Sequence, residues 1–482
     1  MIRRVRLAPS PTGHLHIGSA RTALFNWLFT RRHDGVLVLR IEDTDRDRSK
    51  VEHVESIMHM LRWLNIDWDE GPYYQSEGID RHRKNALDLL SAGKAYRDFT
   101  TPEELAQERE AVKAGKVGHH ISRRRAESLA HGEAEEMAEN GTPHAIRFYV
   151  PEGKTVWEDI VHGEMIFQNE DIDDLVILRG DGSPTNNLAV TSDDAHQNIS
   201  HVIRGDDHLS NTPKQILIYQ AMGWEIPIFG HVPMILGSDG KRLSKRHGAT
   251  AVREYEEQGI LPDAMTNFLA LLGWSPGDDK EVMTADELVD LFSIERVLKK
   301  SSIFDSKKLD WLSGQHFNIA TAQDLESELT AMLVAAELVN LKDLQKRWDW
   351  YLSLIDILKT RARRIPDLVD LARPFLLDDI DFDPEAVRKH WLKDPKKVLD
   401  SIKILRLRLE GLTWEIDVFE KCIRDYAKEV SVGLGQVVQP IRVEVTGRQS
   451  SPGIFDVFYL LGKERVLVRL DRAIEFLGEL IE

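Results

Sequence analysis

The stretch RRVRLAPSPTGHLHIGSARTALFNWLF, residues 3–29, changes character in its middle. RRVRLA suits a first strand, and PSPTG forces a turn because proline fixes φ and glycine admits positive φ. A helix is expected to open near Ile17 and Gly18. In an α/β sheet, such a strand-turn-helix unit aims backbone N–H groups and the positive end of a helix dipole at an anion. His14 and His16 fall at that edge, where an imidazole can donate to a phosphate oxygen without burial of a fixed charge. Read alone, a His-x-His beside a turn is more often a pair of surface residues, so the phosphate reading requires a partner elsewhere in the chain.

Working outward, apolar runs such as VLVLRIED (36–43) and SHVIRGDD (200–207) alternate with helical patterns such as NTPKQILIYQAMG (211–223), as in a parallel sheet covered by helices. After about residue 250 the helical period dominates, in AMTNFLALLGW (264–274), DWYLSLIDILKTRARRI (349–365) and KKVLDSIKILRLRLEGL (396–412). Between the halves of the sheet, residues 96–186 read as an insertion, helical in TPEELAQEREAVKAGK and then strand-like in HAIRFYVPEG and VILRGDGSP. No repeats or low-complexity tracts occur. The 482 residues are 42% hydrophobic, enough to bury more than one core, and the length suggests about three domains. The one cysteine, Cys422, excludes an internal disulfide and a cysteine-rich zinc site, which fits a reducing compartment. No run approaches the roughly 18 apolar residues of a membrane span, so a soluble, cytoplasmic protein is expected. The excess of 80 acidic over 63 basic residues weighs against a protein that coats nucleic acid, while leaving room for local basic faces.

The partner is GSDGKRLSKRHGA, residues 237–249, where Lys241, Arg242, Lys245 and Arg246 stand in a Gly- and Ser-rich loop after the apolar HVPMIL. A basic cluster is more often a solvated face, but this one lies where a closing loop is expected. A lysine over a polyphosphate neutralises charge that grows as the α-phosphorus is attacked, and removing such a group typically costs on the order of 10²–10³ in rate. A histidine-bearing phosphate turn and a mobile lysine loop together describe an enzyme that adenylates something.

HIGS (16–19) and RLSKR (242–246) resemble the two signature motifs of class I aminoacyl-tRNA synthetases, and the whole chain resembles the bacterial glutamyl-tRNA synthetases. The resemblance continues through RIEDTDRDRS (40–49), DWDEGPYYQSE (67–77), VIRGDDHLSNTPKQ (202–215), NFLALLGWSPGD (267–278), FDSKKLDWL (304–312), PIRVEVTG (440–447) and LLGKERVLVRL (460–470). It implies an α/β plus all-α architecture: a Rossmann-type parallel-sheet catalytic domain over 1–95 and 187–240, and an inserted acceptor-binding domain over 96–186. A stem-contact domain with the lysine loop would follow over 241–312, then α-helical anticodon-binding domains over 313–373 and 374–482.

The reaction so implied has two steps: glutamate's α-carboxylate attacks the α-phosphate of Mg-ATP, and the 2′-hydroxyl of the terminal adenosine of tRNA(Glu) takes the glutamyl group. His16, Gly18, Asp207 and Lys245 would serve ATP, with His16, Lys245 and Arg242 catalytic; Arg242 stands where the family commonly has Lys. Arg6 and Arg204 would take glutamate's carboxylate, with Ser10 and Glu42 at its other end and Asn186 in place of the family's usual Tyr. Activation is expected to need bound tRNA. Mg²⁺ is expected only with ATP. No structural zinc is expected, because the family's cysteines are replaced near Asp98 and Thr100, and His119, His120 and Asp98 lack tetrahedral spacing. KAGKVGHHISRRR (113–125) is a candidate face for the acceptor stem or a solvated helix, and KTRARR (359–364) belongs to the anticodon region. Membrane partners are not expected, and the oligomeric expectation is a monomer. A glutaminyl enzyme, a truncated paralogue modifying a tRNA base and a small-molecule nucleotidyltransferase all fit the helical second half poorly. The alternatives kept are an enzyme that also charges tRNA(Gln) and a non-catalytic RNA-binding relative.

Overall fold

The computed structural model describes residues 2–44, 49–101, 103, 104, 107, 121–248 and 250–481. They form two compact units, Met1–Glu256 with Pro262–Leu309, and Glu257–Leu261 with Asp310–Glu482.

The first unit opens as strands alternating with helices: β1 (Arg4–Leu7), α1 (Ile17–Arg32), β2 (Val36–Ile41), α2 (Val51–Trp63), β3 (Glu70–Tyr74) and α3 (Ile79–Ser91). Next come β4 (Ala95–Asp98), β5 (Ala145–Phe148), β6 (Lys154–Asp159), β7 (Gly163–Gln168), β8 (Leu175–Leu178), β9 (His201–Gly205) and β10 (Ile228–Val232), with helices Asn186–His196 and Thr212–Met222 on either side of β9. The apolar run of β2 is buried from Leu37 to Ile41 because it lies between two parallel neighbours. β1 is one of them, with Val5 opposite Leu37, and β3 is the other. On the free side of β1, the Ser200 N–H donates to the Arg4 carbonyl at 2.9 Å and the Ser200 hydroxyl accepts from the Arg4 N–H at 2.8 Å. That brings β9 beside β1, and β10 pairs in parallel with β9. The spatial order β3, β2, β1, β9, β10 reverses its progression between β1 and β9. A crevice beyond the C-terminal ends of those two strands is where an open α/β sheet takes its ligand.

β4, β5 and β8 form a separate antiparallel sheet. Its apolar face does not make an independent core: Ile146, Phe148 and Ile177 pack in one cluster with Ala86 and Leu89 of α3 and with Leu188, Leu217 and Ile218. β6 pairs in parallel with β10 as well as antiparallel with β7, so the stretch 154–159 joins the sheet of β9 and β10. Most of TPEELAQEREAVKAGK, and both His119 and His120, lie outside the described residues.

The second unit is helical. Helix Trp348–Leu358 buries Tyr351, Leu354, Ile355 and Leu358, the three-and-four spacing visible in its sequence, against a core that includes Trp391, Phe419, Phe458 and Leu470. The family segment 460–470 is largely internal: Arg469 is buried and donates to the carbonyls of Val445, Pro374 and Leu377, satisfying helix-terminal acceptors.

Candidate active site

The C-terminal ends of β1 and β9 and the first turn of α1 enclose a cavity of about 530 Å³. Arg6, His16, Gly18, Glu42, Asn186, Arg204, Asp207 and Arg242 all line it, so the structure gathers eight of the ten expected site residues in one place. Ser10 is exposed and is not in its lining, and Lys245 falls in the one-turn helix Lys245–His247 with its side chain outside the described residues. His14 lies apart from the cavity, with Nδ1 3.1 Å from the Ser56 hydroxyl.

His16 precedes the first turn of α1 in an extended conformation (φ −80°, ψ 155°), and its side chain caps no backbone group. No acidic residue occupies that first turn, so the positive end of the helix dipole faces the cavity without a carboxylate of its own turn against it. A Cβ built on Gly18 would meet nothing within 4 Å, so a flat group can approach the backbone there. The basic loop is stitched to this helix start. Ile17 N–H donates to the Thr250 carbonyl and Val252 N–H to the Leu15 carbonyl, both at 3.0 Å, which pairs His16 with Ala251. Two motifs some 230 residues apart in sequence thereby share one edge. Within the loop, Arg242 Nη2 donates to Asp207 Oδ2 at 3.2 Å, and the His247 ring packs so close that a Cβ on Gly237 would lie 2.6 Å from it.

Charge is distributed unequally on the cavity floor. Arg6, 5% exposed, directs Nε at both oxygens of Asp194 at 3.3 Å. Asp194 also accepts from Arg40 Nη1 at 2.7 Å, and its neighbour Asp193 accepts from Gln75 at 2.9 Å and from Arg81 and His82 at 2.6 Å each. Burial pushes the Glu42 carboxyl above its usual range, against the pull of Arg40 and then Arg6, and Asn186 Nδ2 donates to it at 3.4 Å. A cationic ligand group beside Glu42 would favour its charged form. Arg204 differs from Arg6. Its Nε faces His231 Nε2 at 3.2 Å and its Nη2 donates to Thr212 Oγ1 at 2.8 Å, with no carboxylate paired to it among the described residues. Burial, followed by the nearby Arg6, lowers its pKa to about 10.

Sequence reasoning passed over Asp193, Asp194, His231 and Thr212. The available signal was weak: an adjacent acidic pair inside an otherwise small and apolar helix, and one histidine within the apolar IFGHVPMIL. The basic patches are also partly committed. Arg123 of SRRR is held by Asp174 and by the Val150 carbonyl. Lys359 and Arg364 of KTRARR bond to the Ala320 carbonyl and to Asp310 and Gln258, whereas Arg361 and Arg363 are exposed. Asp98, considered as a metal ligand, pairs with Arg147 and accepts from Thr100 N–H at 3.0 Å.

Residues 3–311 match the model for the catalytic domain of class I tRNA synthetases (E and Q), and residues 328–474 match that for an anticodon binding domain. A glutamate–tRNA ligase of Thermodesulfovibrio yellowstonii is 46% identical over 98% of this chain and 99% of its own length. One from Moorella thermoacetica is 41% identical over 99% of both. The crystal structure of a glutamate tRNA ligase from Elizabethkingia meningosepticum, in complex with its amino acid, superposes with a TM-score of 0.88 at 32% identity, over 99% of this chain and 100% of that one. With a switch-point cavity, a signature helix start and a basic loop joined at one sheet edge, and with likeness running the length of both units, the chain belongs to the glutamate–tRNA ligase family of class I tRNA synthetases.

Proposed function

We propose that this chain activates L-glutamate with ATP to glutamyl-adenylate and transfers the glutamyl group to the 3′-terminal adenosine of tRNA(Glu). The observation that carries the reading is Arg204, a buried guanidinium with no carboxylate paired to it among the described residues, lining one cavity with Arg6. Such a site requires an anionic ligand, and a glutamine side chain would turn N–H donors toward donors. Glu42, whose carboxyl burial pushes above its usual range, suits the substrate's ammonium group, with Asn186 beside it. Ser10, outside the cavity lining, would have to approach with its turn to take part.

His16 and Gly18 at the start of α1 would cradle ATP, Asp207 would face its ribose, and Arg242 and Lys245 would neutralise charge growing on the α-phosphate as the carboxylate oxygen attacks and pyrophosphate leaves. No covalent enzyme intermediate is needed, so positioning and electrostatics carry the rate. Among the described residues no three His, Cys, Asp or Glu side chains converge to hold a metal. A Mg²⁺ ion arriving with ATP would draw its oxygens chiefly from phosphates and water. Acceptor contacts are assigned to residues 96–186 and stem contacts to 241–312. Anticodon contacts go to 313–373 and 374–482, where Arg361 and Arg363 are exposed cations. A cytoplasmic monomer completes the reading.

Pyrophosphate exchange and aminoacylation test it directly. Glutamate-dependent exchange should require tRNA(Glu), and charged tRNA(Glu) should accumulate. Full exchange by the protein alone, or no product with tRNA(Glu), would refute it.

A further inference from the structure

Behind Arg204 stands a chain of side chains whose hydrogen atoms can be placed by elimination. Asp159 Oδ1 accepts the backbone N–H groups of Val161 and His162 at 3.0 Å each and of His231 at 3.2 Å, which leaves Oδ2 to meet His231 Nδ1 at 2.6 Å. A carboxylate offers only lone pairs, so the hydrogen between them belongs to Nδ1. Burial pushes the His231 pKa down against the pull of Asp159, and Nε2 faces a guanidinium nitrogen that can only donate, so Nε2 is the ring's acceptor. Its lone pair faces Arg204 Nε at 3.2 Å and the Thr212 hydroxyl at 2.8 Å. Thr212 Oγ1 in turn accepts from Arg204 Nη2 at 2.8 Å, which sends the hydroxyl hydrogen to His231. Every donor in the ring has an acceptor, and this holds for one tautomer of His231 only.

We propose that Asp159, His231 and Thr212 are positioning residues that fix the Arg204 guanidinium and so set the protein's affinity for the carboxylate of glutamate. Asp159 and Thr212 are 1% and 0% exposed and His231 is 0% exposed, so none of them can touch substrate. They occupy Nε and one edge of Nη2 and leave Nη1, which has no partner among the described residues, for the ligand. What they turn to Arg204 is an imidazole nitrogen and a hydroxyl rather than a carboxylate, so the guanidinium is held in place with no carboxylate paired to it among the described residues. A carboxylate in place of His231 would orient it equally well and cancel that charge. The inference rests on the reading that Arg204 receives glutamate.

Asp159→Asn is the isosteric test. Its amide oxygen must stay with the three backbone N–H groups, so its NH₂ faces Nδ1 and drives His231 to the other tautomer, with Nε2–H against Arg204 Nε–H. In tRNA-dependent pyrophosphate exchange, KM for glutamate should rise roughly 10- to 100-fold while KM for ATP stays within about 2-fold of the parent. Thr212→Val should act in the same direction and Thr212→Ser should restore parental values. That pair carries the test if circular dichroism shows Asp159→Asn unfolded. Nitrogen-15 NMR, with the His231 signal identified by its loss in His231→Gln, should report a proton on Nδ1 in the parent and on Nε2 in Asp159→Asn. A proton on Nε2 in the parent overturns the proposal. So does a parental glutamate KM in folded Asp159→Asn and Thr212→Val, or an equal rise in both substrates' KM. Arg204→Met, measured alongside, separates the failures: an unchanged glutamate KM there would refute the role of Arg204 itself.

Discussion

Replacing Arg204 with methionine separates what its guanidinium does for substrate from what it does to the fold. Arg204 is 7% exposed, and in the free protein it contacts the His231 ring and the Thr212 hydroxyl. The fall of its pKa below the usual guanidinium range to about 10, through burial and then Arg6, corresponds to about 3 kcal/mol against the charged form. Because the folded pKa lies below the unfolded one, this penalty is fully present at pH 7 and is relieved as pH rises through about 10. Methionine keeps much of the volume, and Thr212 and His231 remain bonded to each other at 2.8 Å, so no buried polar atom is orphaned. Arg204→Met should therefore resist urea as well as the parent or better, by up to ~1–3 kcal/mol at neutral pH, with the gain holding to about pH 10 and shrinking only above it. In tRNA-dependent pyrophosphate exchange its kcat/KM for glutamate should fall about 10²–10³-fold. A stability loss beyond about 1 kcal/mol would mean that something already compensates the charge, and an undiminished kcat/KM would place the substrate's carboxylate elsewhere. Either result refutes the reasoning.

Lys245→Ala should slow adenylate formation about 10²–10³-fold while tRNA(Glu) affinity, measured by filter binding, stays near the parent's; an equal loss in both would remove Lys245 from the chemistry. Arg123→Ala should destabilise the first unit by about 1–3 kcal/mol in denaturant, because Asp174, 2% exposed in its side chain, loses the Arg123 guanidinium while keeping the Tyr96 O–H and the Val150 N–H. Unchanged stability with weakened tRNA binding would instead return Arg123 to the acceptor face. Elemental analysis of chelator-washed protein should find no stoichiometric zinc, and activity should survive a zinc-selective chelator in excess Mg²⁺. One zinc per chain lost together with activity would show a ligand set that the sequence conceals.

The strand, turn and helix of residues 3–29 were legible because Pro and Gly constrain φ locally, and α1 does begin at Ile17. Helix Trp348–Leu358 was legible for a similar reason, since its buried face follows a period carried by the sequence itself. The charge network was not. Arg6 and Asp194 are 188 residues apart, and only the crossover that sets β9 beside β1 brings the intervening helix over the floor of the cavity. In the sequence Arg6 and Arg204 are equivalent, each an arginine near the end of a short strand. In the structure Arg6 arrives with Asp194, a counterion it shares with Arg40, whereas Arg204 arrives with none. The paired arginine can orient a ligand with little change in local charge. The unpaired one would supply the electrostatic demand of the proposed site, which a carboxylate meets and a carboxamide cannot. If Arg204 receives the substrate's carboxylate, as proposed, discrimination between glutamate and glutamine would reside less in the number of arginines than in the lack, among the described residues, of a carboxylate paired with one of them.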